Sequence, residues 1–212
     1  MNIIFDMDGV LIKSEYAYSL AIQRVLADHG VDVDLSYIDQ YRGRSNPETW
    51  QEIIADFSVL DQASDYYIDR VFSYREEIVA RDGIIPCDHI LELLNAWHGK
   101  GYRMSVASSS PMSEIERTMD ALGIRSYFEH LVTGEAVAQS KPAPDIFLYS
   151  AKLMNLEPKD CIVIEDSSHG VQAAKLAGMY CIAYVDPHEP AQDVSLADEV
   201  VEDYRDLLDR KL

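Results

Sequence analysis

Short apolar runs, each bounded by polar or turn residues, punctuate this chain at 2–5 (NIIF), 102–107 (YRMSVA), 130–133 (HLVT), 161–164 (CIVI) and 180–185 (YCIAYV). Runs this short and continuous suit strands covered on both faces by helices, since a strand with one wet face would alternate. Helical patterns lie between them. Residues 88–97 open on Asp88, which predicts a capped start, and run to Gly99. Residues 111–122 place Pro111 at the first helical position after a serine and end at Gly123; 146–154 and 170–177 continue the alternation, the last stopping at Gly178. Strand and helix alternating in this way predict the α/β class, with a doubly wound, Rossmann-like parallel sheet.

Residues 15–81 break the alternation, because they read as helix only. Asn46-Pro47 is a good start signal, followed by Trp50, Ile53, Ile54 and Phe57 at helical spacing, and Tyr67, Val71, Tyr74 and Ile78 form a second stripe. The expected organisation is a core of residues 1–14 and 82–212 with an all-helical insertion of 15–81. Segments 13–17 and 79–85 would be the hinges between them.

Bulk properties narrow the function. An apolar content of 48% and a charged content of 26% over 212 residues describe an ordinary globule with a sizeable core. The formal net charge of −19 argues against nucleic acid or an anionic membrane as partner. No apolar run is long enough to span a bilayer. The three cysteines, Cys87, Cys161 and Cys181, lie far apart with no Cys-x-x-Cys pair, as expected of core residues in a reducing compartment. A cytoplasmic monomer is the expectation.

The chemistry gathers where strands end. The first run ends in Asp6 and Asp8, the second in Ser108-Ser109-Ser110, and the CIVI run in Glu165-Asp166, while Lys141 follows the HLVT run. In open parallel sheets, ligands bind at the carboxyl ends of the strands. Asp6 and Asp8, two apart in extended chain, point to one side. Crowded carboxylates call for a hard cation, and oxygen donors without a His/Cys cluster select Mg²⁺ over zinc. A cation and Lys141 supply the positive centre that the acidic background lacks, and Ser108-Ser109 before a helix add an anion cradle. Such a set is the apparatus of phosphoryl transfer.

DMDGVL, VASSS, SKPAPDIF and IEDSSHGV, in this order, resemble the four motifs of the haloacid dehalogenase superfamily of Mg²⁺-dependent phosphohydrolases, and the chain is most similar to its β-phosphoglucomutase-like group. The resemblance spans essentially the whole chain and makes the helical insertion a cap domain. It implies that Asp6 is the nucleophile, forming an aspartyl-phosphate, and that Asp8 is the general acid and then base. It implies Ser108, Ser109 and Lys141 as phosphate ligands, with Gly9 permitting the turn beside them. Asp6, the Asp8 carbonyl and Asp166 become the Mg²⁺ ligands, with Glu165 a direct or water-mediated one. The substrate would be a small phosphomonoester, most plausibly a sugar phosphate, contacted from the cap by Tyr18, Arg42, Arg44, Asn46 and Trp50.

Each motif also has a plainer reading. Asp6 and Asp8 would then be a solvated strand end, Lys141 a surface lysine, Ser108-Ser109 a helix cap, and Glu165-Asp166 a cap for the helix near Gly170. His169 reads as a surface residue at a helix start, and Tyr18 reads equally as a helix tyrosine packed in the cap. Mutases of the group carry a cap histidine where this chain has Tyr18, and an arginine where Asn46 aligns. They usually have an aspartate at Lys13, which is read here as a solvated hinge residue. Hydrolysis is therefore preferred, with a sugar-phosphate mutase second. A signalling phospho-acceptor or non-catalytic binding protein is the third reading. The signalling role is disfavoured because a receiver domain has neither the acid two residues after its nucleophile nor a cap, the non-catalytic one because all the motif residues are present.

Overall fold

The computed structural model describes residues 1–41, 46–187, 192–208 and 210. It divides into two compact units, one of Met1–Lys13 together with the chain from Pro86 onward, the other of Ser14–Ile85. The candidate residues Arg42 and Arg44 lie outside the described residues.

The first unit is built on a six-stranded sheet, every pairing of which is parallel. Its strands are β1 (Asn2–Phe5), β2 (Arg103–Ser108), β3 (His130–Thr133), β4 (Ile162–Glu165), β5 (Tyr180–Tyr184) and β6 (Glu199–Val201), in the spatial order β3-β2-β1-β4-β5-β6. The chain builds outward from β1 to β2 and β3, then returns to lay β4 on β1's other side. β1 therefore stands at the point where strand order reverses, which is where such sheets bind ligands. The last strand, β6, is missing from the sequence reading. Its three residues, of which Val200 is exposed, are too few to show either an apolar run or an alternation.

Four helices belong to the second unit: α1 (Ser14–Asp28), α2 (Leu35–Asp39), α3 (Asn46–Asp56) and α4 (Ser64–Asp82). The sheet carries α5 (Ile90–Gly99), α6 (Met112–Ala121), α7 (Asp145–Leu153) and α8 (Ser168–Leu176). Alternate residues of β1 serve opposite layers, as period two requires. Ile4 joins a buried cluster with Phe147 of α7 and Val171 of α8. Phe5 meets Trp97 of α5 at 6.0 Å and Phe128 edge-on at 5.9 Å.

Two predicted helix starts are corrected. Asp88 caps nothing; α5 begins two residues later behind a left-handed His89, and Asp88 instead accepts from Lys13 at 3.0 Å. Pro111 stands at the N-cap of α6 rather than inside it, because its ψ of 149° is extended.

In the second unit α1 packs along α4, and the predicted stripes supply the core. Trp50 stacks on Tyr67 with ring centroids 4.9 Å apart. Trp50 is fully buried there, so it is a core residue of this unit and not a substrate contact. Tyr18 is half-buried, and its hydroxyl donates to the Asn46 side-chain oxygen.

Candidate active site

The backbone just after β1 is fixed before any side chain is considered. The Asp6 amide donates to Ile164 of β4 at 3.0 Å, extending the ladder by one residue and holding Asp6 at the sheet's carboxyl edge. The chain then turns sharply. The Met7 carbonyl accepts from Val10, Leu11 and Ile12 at 3.3, 2.8 and 3.1 Å, and Gly9 donates to Ile12 at 2.8 Å. Gly9 is required here twice over: its φ is +75°, and a Cβ on it would lie 2.0 Å from Asp166 Oδ2. The Asp166 carboxylate therefore rests directly against the turn that carries Asp8.

Lys141 is the positive centre. Its Nζ donates to Asp6 Oδ1 at 2.5 Å and to Glu165 Oε1 at 2.7 Å, and lies 4.8 Å from the centre of the Phe147 ring. All three charged groups are buried. Burial pushes the Asp6 carboxyl up to about 7; the Lys141 ammonium pulls against this, and Glu165 and Asp8 add to the rise. Burial alone would pull the Lys141 ammonium down, but Asp6 and Glu165 outweigh it and hold it well above its ordinary range. Glu165 lies below the usual range, because Lys141 and the Ser167 donors overcome the cost of burying it. One ammonium shared between two carboxylates thus leaves Asp6 short of positive charge.

Glu165 is occupied on both oxygens. Beyond Lys141 on Oε1, its Oε2 accepts from the amides of Asp166 and Ser167 at 2.8 Å each and from the Ser167 hydroxyl at 3.0 Å. This set argues against Glu165 as a direct metal ligand and makes it the anchor of Lys141. The helix cap that is the plainer reading of Glu165-Asp166 is supplied instead by Ser167, whose Oγ accepts from Gly170 at 3.0 Å. Gly170 lies close beneath: a Cβ there would fall 1.6 Å from Glu165 Oε1.

The serines after β2 complete the site. Ser108 is buried and its Oγ accepts from the Ser110 amide at 3.1 Å, whereas Ser109 is exposed. Ser110 donates from its own hydroxyl to Asp8 Oδ2 at 2.7 Å. Thr133 at the end of β3 donates to the Ser110 carbonyl at 2.7 Å. Asp6, Asp8, Ser108, Lys141, Glu165 and Asp166 are thus brought to one edge of the sheet. Tyr18 and Asn46 belong to the second unit and contact each other. His169 is exposed at the start of α8. Lys13 is not a solvated residue; its Nζ pairs with Asp88 at 3.0 Å and Asp186 at 3.1 Å.

Three residues in this site have roles that the sequence alone does not assign. Ser110 carried a signal, as the third of three strand-end serines. Thr133 and Gly170 carried none, since one ends an apolar run and the other sits in a helical pattern. Among the described residues, no group of three or more His, Cys, Asp or Glu side chains is placed to hold a metal ion. Also among them, no helix is long and apolar enough to cross a membrane.

Comparison with known proteins agrees with this architecture. Residues 3–184 match the family described as haloacid dehalogenase-like hydrolase. Fructose-1-phosphate phosphatase YqaB of Escherichia coli is 32% identical over 84% of this chain and 93% of its own. Validoxylamine A 7'-phosphate phosphatase of Streptomyces hygroscopicus is 29% identical over 94% and 92%. Among solved structures, a Thermotoga maritima protein provisionally assigned as a beta-phosphoglucomutase superposes with a TM-score of 0.84 at 26% identity, covering 100% of this chain and 99% of that one. The chain belongs to the haloacid dehalogenase-like hydrolase family, as a phosphoric monoester hydrolase.

Proposed function

We propose that this enzyme hydrolyses a small phosphomonoester, a sugar phosphate by class, through a phosphorylated Asp6, and that it works as a cytoplasmic monomer free of nucleic acid and membrane. The observation that carries the reading is the grip of Lys141 on Asp6 Oδ1 at 2.5 Å, with a second carboxylate two residues on. The ammonium engages Oδ1, which favours Oδ2 for the attack. An Oδ2–phosphorus bond forms as the phosphorus–ester oxygen bond breaks, and a proton passes from Asp8 to the departing oxygen, releasing the alcohol. Water then attacks phosphorus and gives its proton to Asp8, and the Asp6–phosphorus bond breaks to release orthophosphate. Ser108 and the Ser109 amide hold the phosphoryl oxygens, and Lys141 offsets the charge shared by nucleophile and phosphate.

The donors fit Mg²⁺. Asp6 and Asp166 present two carboxylates beside the Asp8 carbonyl, and Glu165 is engaged elsewhere; this ion characteristically takes one or two carboxylates and keeps waters and phosphate for the rest. The charge deficit at Asp6 is of the sign a cation meets. When bound, Mg²⁺ would draw charge from the transferring phosphoryl oxygens. The mutase reading stands second, supported by the Thermotoga likeness. Against it, Tyr18 and Asn46 stand where mutases resembling this chain have histidine and arginine, and here they engage each other.

Phosphate release is to be measured on fructose 1-phosphate, glycerol 3-phosphate, 2-phosphoglycolate and β-glucose 1-phosphate, with and without Mg²⁺. Release that depends on Mg²⁺ and disappears in Asp6→Asn is expected. Glucose 6-phosphate formed from β-glucose 1-phosphate faster than phosphate would put the mutase first.

A further inference from the structure

The general acid assigned above needs its carboxyl aimed at the ester oxygen, and β1 does not provide this aim. Asp8 lies beyond the end of β1, in the turn closed on Met7, and is only half-buried. A side chain so placed has several staggered positions open to it. What holds it is a contact from the loop after β2: the Ser110 hydroxyl on Asp8 Oδ2 at 2.7 Å. Ser110 is itself held through both its amide and its carbonyl. Its amide is bound to Ser108 Oγ at 3.1 Å, and its carbonyl accepts from Thr133 Oγ1 at 2.7 Å. Thr133 Oγ1 in turn accepts from the Glu135 amide at 3.3 Å. The backbone at Gly134 also presses on this loop, since a Cβ there would meet Ser109 Cα at 3.2 Å and its carbonyl oxygen at 3.3 Å.

We infer that Ser110, braced by Thr133, is the positioning residue for the Asp8 carboxyl: it fixes one oxygen of Asp8 so that the other is presented to the leaving group. This rests on the hydrolase reading and adds to it a residue that touches neither phosphate nor nucleophile. It also explains why the third serine in VASSS differs in role from the first two. Ser108 and Ser109 serve the phosphoryl group, and Ser110 serves the acid. Thr133 belongs to the same brace from the far side of β2, through a strand-end hydroxyl that also accepts from the Glu135 amide.

The test exploits what a misplaced acid costs. An alkyl phosphate needs its leaving oxygen protonated as the bond breaks, whereas p-nitrophenolate leaves well without a proton. In kcat/KM, which reports the first irreversible step, Ser110→Ala should slow the best alkyl ester of the panel at least tenfold more than p-nitrophenyl phosphate. Ser110→Thr, which keeps a hydroxyl, should restore the ratio, and Thr133→Val should shift it in the same direction by a smaller factor. Asp8→Asn should show the full shift, and adding Ser110→Ala to it should change the ratio no further. An equal loss on both esters in Ser110→Ala, with the fold intact by circular dichroism, overturns the inference while leaving the hydrolase reading in place. Wild-type hydrolysis that survives Asp6→Asn, or no hydrolysis of either ester, overturns both.

Discussion

Gly170→Ala sets two local rules against each other. In an unconstrained helix the change stabilises by about 1 kcal/mol, because alanine is the better helix former. Here the new Cβ would lie 1.6 Å from Glu165 Oε1 and 1.9 Å from its Cδ, whereas ordinary contact begins near 3.4 Å. The carboxylate must therefore retreat by nearly 2 Å (3.4 less 1.6). No hydrogen bond of 2.7 to 3.0 Å survives such a shift, and Glu165 makes four of them, to Lys141 Nζ, the Asp166 and Ser167 amides and Ser167 Oγ. A carboxylate that re-forms half of these still forfeits two charge-assisted bonds, roughly 3–6 kcal/mol in all. Less the propensity gain, the variant should be destabilised by about 2–5 kcal/mol, lowering Tm by roughly 5–15 °C for a chain of this size. Thermal unfolding followed by circular dichroism reads this directly. Phosphate release should fall as well, because Lys141 loses one of its two anchors. A Tm equal to or above that of the wild type would refute the argument, since it would mean that Glu165 has room to give way.

Other substitutions probe the site and its supports. Lys141→Met removes the ammonium between two buried carboxylates and should cost about 3–5 kcal/mol, checked by urea unfolding without added metal. Asp166→Asn should reduce the rise in Tm that Mg²⁺ gives the wild type, a rise expected of any ion that binds only the folded state; an equal rise in both proteins would remove Asp166 from the ligand set. Lys13→Met breaks two partly exposed pairs and should cost at most about 1 kcal/mol, with the difference from wild type shrinking in 1 M salt. The Arg205 side chain beside Asp203 holds its carboxyl down at about 2, so its contribution to stability is present above the ordinary carboxylate range and lost as pH falls toward 2. The urea midpoints of wild type and Asp203→Asn should accordingly differ at pH 6 and converge as the medium is acidified.

The catalytic edge was legible because its residues interrupt patterns. Asp6 follows a largely buried strand, where a carboxylate is out of place unless it is used, and its neighbours recur at the ends of β2 and β4. Parallel packing brings strand ends together whatever the details, so their convergence followed from the alternation of elements. Contacts made across the sequence were not legible. Nothing in the order of residues shows that Ser110 turns toward Asp8, 102 residues away, or that Glu165 spends its oxygens on Lys141 and its own following amides. Gly170 looked like a tolerated weakness in a helix, and only the proximity of Glu165 gives it a reason. Asp88 offered a cap by residue type, but Lys13 competes for the same carboxylate with a full charge.

The chain leaves and re-enters the first unit through neighbouring points. Ile12 forms a β-bridge with Pro86, Cys87 donates its amide to Leu11 at 3.0 Å, and Lys13 reaches Asp88. Everything between Ser14 and Ile85 is thus a loop, in the topological sense, whose two ends are already stitched together by the scaffold. The entropy of closing so long a loop grows only slowly with its length, and here the stitch meets that cost locally. A few glycines and serines joining Lys13 to Pro86 should leave the sheet able to fold alone. The same seam would accept a helical unit of another size, so the strand ends and the inserted unit are free to evolve separately.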